Sequence, residues 1–288
     1  MRPNTTGALL MMGSMVAFTL NDTCIKATGG ALPLFQLLTL RGLLTSVLIY
    51  LLARRMGALT FRLSRHDWAL VSIRSLSEIG MTYFFLTALM NMPLANVTAV
   101  LQVLPLTVTL GAVLVFREQV GWRRMSAIAV GFGGMLLIVR PGPDGFDIYA
   151  LYALAAVACV TVRDLTTRRM SSNIPSLTVT FISATAILVF SAVASVTTIW
   201  APVDARLAGL VVASSVFVMV GYVLSVAVMR VGDVSFVAPF RYTGLLWALM
   251  LGWLVFGDWP DQLTLLGATI VVATGLFTLY RERGASEG

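Results

Sequence analysis

A small set of ionisable residues interrupts stretches of sequence that are otherwise almost entirely apolar. A charged side chain at the centre of a bilayer costs about 2.5 to 3.5 kcal/mol on insertion scales. Each residue of this kind is therefore either neutralised by a partner or retained because it acts on a ligand. The residues are Asp22, Arg41, Arg74, Glu78, Arg163, Asp164 and Arg241.

Glu78 follows Arg74 by four positions, so the two side chains share one face of a helix and could neutralise each other. The functional alternative makes Glu78 a counter-ion for a cationic ligand, or a buried carboxyl group that exchanges a proton. The spacing by itself leaves both interpretations open.

A second candidate locus surrounds Arg241, which follows Pro239 by two positions and directly precedes Tyr242. Pro239 has no N–H, so it frees a backbone carbonyl in the preceding turn. Arg241 could hold a carboxylate through two parallel hydrogen bonds, and Tyr242 and Trp247 offer ring faces for a planar base or an onium group. Trp247 is six positions from Arg241 and does not share its face. The alternative is an Arg–acid pair beside lipid-facing aromatic residues.

Two acids precede a cation by four positions, which is the spacing of an ion pair along one helix. These are Asp22 with Lys26, and Asp164 with Arg168. Each cation lies near the end of its apolar segment, where a long side chain reaches the membrane interface. We expect both pairs to be structural.

Arg41 has no acidic residue within one turn of its own segment. Its partner must come from another helix, from a ligand or from a backbone carbonyl. Gln102, three positions before Pro105, could hydrogen-bond a ligand or only neighbours in its own helix.

The elements that must position these residues are ten apolar segments, each long enough to cross a hydrocarbon core of about 30 Å as a helix. The composition agrees, because 58% of the residues are hydrophobic and 11% are charged, against about 25% charged in soluble domains. The predicted fold class is an all-α, polytopic membrane protein. The predicted spans are 7–27, 34–53, 68–90, 94–116, 122–140, 147–167, 175–200, 206–229, 234–256 and 262–280.

The basic residues predict the orientation of these spans, because cytoplasmic loops carry the excess of Lys and Arg. With the amino terminus in the cytoplasm, 13 arginines flank the spans on the inside, and only Lys26, Arg140 and Arg206 lie outside. The asymmetry predicts a multi-pass protein of the inner (plasma) membrane with both termini cytoplasmic.

The chain divides at Pro141–Gly145 into two halves of five spans each, 1–140 and 147–283. Five is an odd number, so the second half enters the membrane from the opposite side, as in the inverted repeats of secondary transporters. Two pairs of motifs support the repeat. Asp22-x-x-x-Lys26 matches Asp164-x-x-x-Arg168 at a shift of 142, and Phe116-Arg117-Glu118 matches Phe256-Gly257-Asp258 at a shift of 140.

The sequence disfavours several other classes of protein. It has one His and no Gly-x-Ser-x-Gly-like nucleophile, no metal-ligand spacing and no P-loop, so neither catalysis, a cofactor nor ATP hydrolysis is expected. Its basic residues are dispersed, which disfavours nucleic acid as a partner. Cys24 and Cys159 lie in apolar segments and predict no disulfide. A membrane-embedded enzyme and a structural or channel-like protein remain as alternatives.

Several motifs resemble the drug/metabolite transporter superfamily, EamA type, over essentially the whole chain. Within it, Asn21-Asp22 with Lys26, Arg41 and the Ala238–Tyr242 segment are most similar to the S-adenosylmethionine uptake branch, although that branch has an apolar residue near Glu78. The motifs that carry the wider resemblance are Tyr83–Leu89, Met92–Ala95, Leu104–Leu106, Arg117-Glu118, Gly131–Gly134, Ala238–Tyr242, Phe256–Asp261 and Gly267.

The resemblance implies a secondary transporter that moves a small metabolite by alternating access, with S-adenosylmethionine or a similar amphiphilic metabolite as substrate. Related branches export amino acids or drug-like amines, which is the alternative. It also implies that Gln102 lies in a helix lining the central cavity, and it leaves a homodimer open. The candidate substrate-binding or coupling residues are Glu78, Arg241, Tyr242, Arg41, Gln102, Tyr83, Trp247, Asp22 and Asp164.

Overall fold

The computed structural model describes residues 3–117, 121–139, 147–171, 173–231 and 237–286, and in these ranges every regular element is helical. The loop proposed to divide the halves, Pro141–Gly145, lies outside the described residues, as does Glu118. The helices are α1 (Pro3–Lys26), α2 (Leu34–Arg55), α3 (Arg65–Asn91), α4 (Leu94–Leu101), α5 (Leu104–Phe116), α6 (Trp122–Val139), α7 (Ile148–Arg168), α8 (Ser176–Ser195), α9 (Ala205–Val231), a 3-10 turn (Ala238–Tyr242), α10 (Thr243–Phe256) and α11 (Gln262–Ser286).

The helices account for the predicted membrane spans. Seven stretches are long and apolar enough to cross a bilayer, and two shorter apolar helices lie within α6 and α11. The remaining long helix, α3, has 27 residues, and the charged Arg74 and Glu78 lower its hydropathy. The protein is therefore an all-α, multi-pass membrane protein of ten spans, as predicted.

Two of the spans are not continuous α-helices in the part of the chain that the structure describes. The prediction of one continuous helix over 94–116 is wrong, because α4 ends at Leu101 and α5 begins at Leu104. Pro105 causes the break, since it cannot donate a backbone hydrogen bond and its ring clashes with the carbonyl of residue 101. The second break is the 3-10 turn around Pro239, before α10.

The two broken spans also end alike. Arg117 after α5 and Gly257 after α10 both adopt left-handed backbone, with φ of 55° and 71°. These positions are 140 residues apart, which is the shift of the predicted repeat. The sequence match at Phe116 and Phe256 therefore corresponds to a shared helix ending.

The main helix contacts join the two halves of the sequence. α1 packs on α9, α3 on α7, α2 on α8 and α6 on α11, and each pair takes one helix from either side of residue 140. In the α6–α11 pair the helices cross at glycines, and a Cβ on Gly134 would lie 2.9 Å from the Gly267 carbonyl oxygen. The lack of side chains on these two glycines allows the helices to approach closely. The halves are interlocked rather than side by side.

Side-chain contacts sort the helix ends into two groups. At one end, here called the Lys26 end, Lys26 reaches the last turn of α3, and Gln36 forms two hydrogen bonds of 2.8 Å with the backbone of Ala201. At the other, the Arg65 end, Thr178 accepts a hydrogen bond from the backbone N–H of Thr60. The largest buried apolar cluster includes Ile25, Leu32, Leu37, Leu89, Leu94 and Leu207. Much of this cluster therefore lies towards the Lys26 end.

Candidate functional site: a charged cluster beside two helix breaks

Glu78 lies at the middle of α3, and only 4% of it is exposed. Arg163 of α7 contacts both carboxylate oxygens at 3.4 Å through Nη1, and Arg74 approaches at 4.0 Å. The predicted Arg74–Glu78 pair therefore exists, but Arg163 is the nearer cation. Glu78 is held between two arginines from different helices.

The surrounding helices hold these arginines through hydroxyl groups and a second acid. Arg74 donates to Thr167 of α7 at 3.1 Å and to Ser183 of α8 at 2.7 Å. Arg163 also pairs with Asp164, its neighbour in α7, at 2.8 Å. The ion pair seen for Asp164 is this one, whereas Arg168 lies over the Phe116 ring at 5.1 Å. The predicted Asp164–Arg168 pairing is thus replaced by Arg163–Asp164.

Arg241 reaches this cluster from the second broken span. It interacts electrostatically with Asp164 and Arg163, although it is distant from both in sequence. Its side chain is exposed while Tyr242, the next residue, is buried. The Arg241 side chain is therefore accessible while lying next to buried charges.

Tyr222 of α9 links the two ends of the cluster, and the sequence analysis missed it. It interacts electrostatically with Glu78, Arg163 and Arg41. Phe18 packs against the Tyr222 ring edge-on at 5.5 Å. The available signal was weak: α9 is apolar over most of its length, and an isolated Tyr in such a helix resembles a membrane-interface residue.

Asp22 of α1 and Arg41 of α2 complete the cluster, and here the expected pairing is wrong. Lys26 does not pair with Asp22 but donates to the carbonyl oxygens of Leu89 at 3.3 Å and Met92 at 2.7 Å. These carbonyls end α3 and lack helical partners, so they attract the ammonium group. The acid that Arg41 interacts with electrostatically is Asp22 of α1, so the partner comes from another helix, which was one of the three alternatives.

The two helix breaks meet at one hydrogen bond. The Gln102 Nε2, at the end of α4, donates to the Tyr242 carbonyl oxygen at 3.3 Å. Gln102 and Tyr242 are 140 residues apart, so the bond joins repeat-related positions. The Tyr242 hydroxyl packs against Gly275 of α11, where a Cβ would collide with it.

Several polar atoms at these positions are buried without a hydrogen-bond partner among the described residues. Buried polar groups in native proteins are nearly always paired, so each such atom points to water or a ligand. Three of them belong to residues that the sequence singled out, namely Arg41 Nε, Tyr242 Oη and Trp247 Nε1. Asn21 Oδ1, beside Asp22, is a fourth.

Tyr83 lies apart from the charged cluster. It stacks on Phe35 with ring centroids 6.1 Å apart and neighbours Phe84 at 5.4 Å and Tyr152 at 6.2 Å. These rings come from α2, α3 and α7 near the Lys26 end. Seven of the predicted site residues therefore lie in the charged cluster or at the helix breaks beside it: Asp22, Arg41, Glu78, Gln102, Asp164, Arg241 and Tyr242. Tyr83 belongs to the separate aromatic group instead.

The arrangement suits binding more readily than catalysis. It combines paired charges, orphaned donors and two interrupted helices, which is how secondary transporters build a substrate site near mid-membrane. Within the described ranges, no group of three His, Cys, Asp or Glu side chains could hold a metal ion.

Comparison with known proteins gives several relatives that are named for transport. An S-adenosylmethionine uptake transporter of Rickettsia bellii is 26% identical over 94% of this chain and 92% of its own length. A pseudopaline exporter of Pseudomonas aeruginosa is 26% identical over 97% of this chain and 98% of its own. A riboflavin transporter of Vibrio cholerae is 27% identical over 76% of this chain and 73% of its own length.

A solved crystal structure shares the fold, with a TM-score of 0.66 at 20% identity, over 98% of this chain and 99% of the other. The family model described as the EamA-like transporter family matches the chain twice, at residues 5–140 and 147–280. Each match contains five of the ten spans. The chain therefore belongs to the EamA-like transporter family.

Proposed function

We propose that this protein is a secondary transporter of the inner membrane that moves a small metabolite by alternating access. S-adenosylmethionine, or a similar amphiphilic metabolite, is the substrate we propose first. The proposal also places both termini in the cytoplasm and assigns no enzymatic activity. It treats 1–140 and 147–283 as the two repeats.

One observation carries the proposal: a buried charged cluster lies beside two broken helices that touch at repeat-related positions, Gln102 and Tyr242. A broken helix offers unpaired backbone groups to a ligand, and equivalent breaks in both repeats place those groups on the axis between them. The proposed contacts are Glu78, Asp164 and Arg241 on one side, and Asp22 and Arg41 on the other. Tyr242 and Trp247 supply ring faces for a purine or a sulfonium group.

The packing suggests which parts move against each other. α1 packs with α9 and α10 and α2 also packs with α9, whereas α3 packs with α7 and α8, and α5 with α7; α4 contacts both α7 and α10. These two bundles each mix helices of both repeats. We propose that they rock about the α2–α8 contact and the Gln102–Tyr242 hydrogen bond.

Counterflow in liposomes tests the proposal. Purified protein would be reconstituted with unlabelled S-adenosylmethionine inside, and uptake of the labelled compound would be followed with and without a pH gradient. We expect protein-dependent, saturable accumulation. If neither this compound nor a broad metabolite panel moves in either direction, the transporter assignment fails.

Export of an amino acid or a drug-like amine is the second candidate. The pseudopaline exporter matches this chain over as large a share as an S-adenosylmethionine uptake transporter does, namely 97% at 26% identity. Similarity therefore supports export as well as import. Inside-out vesicles energised by a pH gradient distinguish the two, because an exporter accumulates its substrate in them. A homodimer remains a proposal that light scattering of the detergent-solubilised protein tests.

A further inference from the structure

An apolar groove runs along α8 where this helix lies beside α3, and its volume is about 540 Å³. This volume falls within the range of roughly 300 to 1,000 Å³ that is usual for ligand pockets. Seven of its eight lining side chains are apolar, and the eighth is Thr185. Phe181, Ala186 and Phe190 line it from α8, and Ile79 lines it from α3. The groove therefore suits a ligand made of hydrocarbon.

The groove opens on the lipid-facing surface of the protein. Phe61 and Val189, at its rim, are 54% and 57% exposed. The exposed apolar surface continues beyond the groove on both helices. Leu76, one turn before Ile79, is 67% exposed, and Val193, one turn after Val189, is 68% exposed. A continuous exposed apolar surface on spanning helices contacts membrane lipid, so hydrocarbon chains have direct access to the groove.

The loop before α3 forms the wall of the groove at the Arg65 end, and α8 holds this loop in place. Thr178 of α8 accepts a hydrogen bond from the Thr60 N–H at 3.1 Å and donates one to the Ala58 carbonyl oxygen at 2.6 Å. Phe61, the next residue of the loop, packs against the Phe181 ring with centroids 6.4 Å apart. The wall is therefore formed before any ligand binds.

Four exposed arginines lie at this end of the groove. Arg62 directly follows Phe61. Tyr50 of α2 packs against Phe181 with ring centroids 5.7 Å apart, and Arg54 lies one turn after Tyr50. The four arginines end α2, belong to the loop or begin α3, and they are Arg54, Arg55, Arg62 and Arg65.

Protein acids do not neutralise this positive charge. None of the four arginines forms an ion pair with another described residue. The acid nearest to them in the sequence is Asp67, which is buried and accepts hydrogen bonds from the Ser64 and Ser171 hydroxyl groups. Arginine binds phosphate through two parallel hydrogen bonds, and basic clusters at the membrane surface attract anionic head groups. The charge is therefore available to a phosphate group outside the protein.

We propose that the groove and the four arginines together form a binding site for an anionic phospholipid. The arginines hold the phosphate, and one acyl chain lies along α8 from Phe181 to Phe190, a distance of about 14 Å. The Arg65 end is the end proposed to be cytoplasmic, where the membrane leaflet carries a negative surface potential. The site faces lipid and uses none of the proposed substrate contacts.

Lipid titration of the purified protein in a nonionic detergent tests the site. Dioleoyl phosphatidylglycerol is compared with dioleoyl phosphatidylcholine, which has the same chains but no net charge, and with glycerol 3-phosphate, which has the charge but no chains. Native mass spectrometry counts the bound lipids, and the rise in melting temperature with concentration measures affinity. We expect phosphatidylglycerol to bind about tenfold or more tightly than phosphatidylcholine, and glycerol 3-phosphate to cause no shift.

The variant Arg62→Gln isolates the head-group contribution. It is expected to lower the affinity for phosphatidylglycerol about fivefold and to leave that for phosphatidylcholine unchanged. The unchanged binding of phosphatidylcholine shows that the variant is folded. Arg123→Gln is the matched control, because Arg123 is also exposed but begins α6, which packs mainly on α11.

The variant Ala186→Leu isolates the acyl-chain contribution. The larger side chain occupies part of the groove, so both lipids should bind more weakly. Ala129→Leu is the matched control, because Ala129 is exposed on α6. Phe61→Ala is a second groove variant that leaves the helix contacts intact, and it should also weaken both lipids because it removes the wall beside the arginines.

Four results would each refute the site. They are equal binding of the two lipids, equal stabilisation by glycerol 3-phosphate, equal behaviour of the Arg62 and Arg123 variants, and undiminished lipid binding in both groove variants. The titration measures no transport, so its failure would leave the transporter assignment standing, and a failure of counterflow would leave the lipid site standing.

Discussion

At the scale of single residues, the charges in the membrane form two distinct groups. Glu78 and Asp164 share Arg163 in contacts of 3.4 and 2.8 Å. Asp22 and Arg41 interact without contact. The first group has its charges largely matched by protein, and the second leaves room for a ligand, so substitutions in the two groups should have different consequences.

Replacing Glu78 by Gln is expected to lower both stability and transport. The amide keeps the shape but removes the negative charge facing Arg163 and Arg74, which should reduce the free energy of unfolding by about 1 to 3 kcal/mol. Thermal unfolding in detergent measures the first effect, and counterflow across a range of pH measures the second. A destabilised variant with an unaltered transport rate and pH profile would leave Glu78 a purely structural role.

Asp67, at the Arg65 end, predicts a pH dependence of stability. Hydrogen bonds from the Ser64 hydroxyl and the Ser171 backbone N–H lower the pKa of Asp67 below its ordinary value of 3.8. A lowered pKa in the folded state means that the contribution to stability is complete at neutral pH and is lost as the pH falls below about 4.

The isosteric variant Asp67→Asn isolates this contribution. We expect it to unfold at a lower temperature than the wild-type protein at neutral pH, with the difference shrinking as the pH falls through the acid range. A difference that stays constant down to the lowest pH at which the protein remains folded would contradict the assignment to the Asp67 charge.

At the scale of helices, the functional features depend on how elements end and cross. The repeat-related breaks at Gln102 and Tyr242 exist because Pro105 and Pro239 each remove a backbone donor. Because Gly275 has no side chain, Tyr242 can pack directly against α11. Packing against α11 therefore helps to fix the position of the 3-10 turn at Tyr242.

Replacing Gly275 by Ala is expected to displace Tyr242 and impair transport. The added methyl group occupies the place of the Tyr242 hydroxyl, an overpacking that costs about 1 to 3 kcal/mol. Gly133→Ala is the control, because a Cβ there meets nothing within 4 Å. The double variant Gly275→Ala with Tyr242→Leu, which removes both the hydroxyl group and the ring carbon Cζ that lies 2.5 Å from the new Cβ, should recover part of the stability. Equal behaviour of the Gly275 and Gly133 variants would refute the packing argument.

The left-handed endings of α5 and α10 give a paired prediction. Arg117 has a side chain in a conformation that favours glycine, so Arg117→Gly should stabilise the protein by about 0.5 to 1 kcal/mol. Gly257→Ala should destabilise it by about 1 kcal/mol through the backbone alone, because no atom lies within 4 Å of the new Cβ.

Melting temperatures of the two variants, beside Arg117→Ala as the control for charge loss, measure these effects. The Ala variant removes the same charge but keeps the unfavourable backbone, so it should not gain stability. A gain as large as that of Arg117→Gly would assign the effect to the charge instead.

At the scale of the whole molecule, closure differs between the two ends of the bundle. The largest apolar cluster lies towards the Lys26 end, and Lys26 there joins α1 to the last turn of α3. These helices belong to the two bundles proposed to rock against each other. In the proposed rocking motion this contact forms only while the Lys26 end is closed.

Replacing Lys26 by Met is expected to shift the population towards states open at the Lys26 end. Loss of two hydrogen bonds from a charged group should change that equilibrium about tenfold or more. The measurement is the labelling rate of a single Cys at position 45, in a background without Cys24 and Cys159, with a membrane-impermeant maleimide added from the periplasmic side.

Arg206→Met is the control and should not label faster. The hydrogen bond from Arg206 to the Ala27 carbonyl oxygen, at 3.3 Å, stays within one bundle, so its loss should not favour opening. Unchanged labelling in the Lys26 variant would remove the closing role of Lys26. Labelling of Cys introduced at positions 62 and 203 from opposite sides tests the predicted orientation in the same background.

Much of this protein follows from the sequence alone. Apolar segments of about twenty residues determine membrane spans, because no other environment accommodates them. The alternation of Arg residues predicts their orientation, and the motifs at Phe116 and Phe256 predict the repeat. The charged residues that the structure brings together were recognisable because a charge is rare in an apolar helix.

The tertiary structure alone decided which charges meet. Spacing along a helix suggested Asp22–Lys26 and Asp164–Arg168, but Lys26 binds the end of α3 and Asp164 pairs with Arg163. Local spacing describes only neighbours on one helix, whereas pairing inside a membrane depends on which helices pack together and at what depth. Tyr222 and the Gln102–Tyr242 contact stayed hidden for the same reason: each acquires its role from residues on other helices that are distant in the sequence.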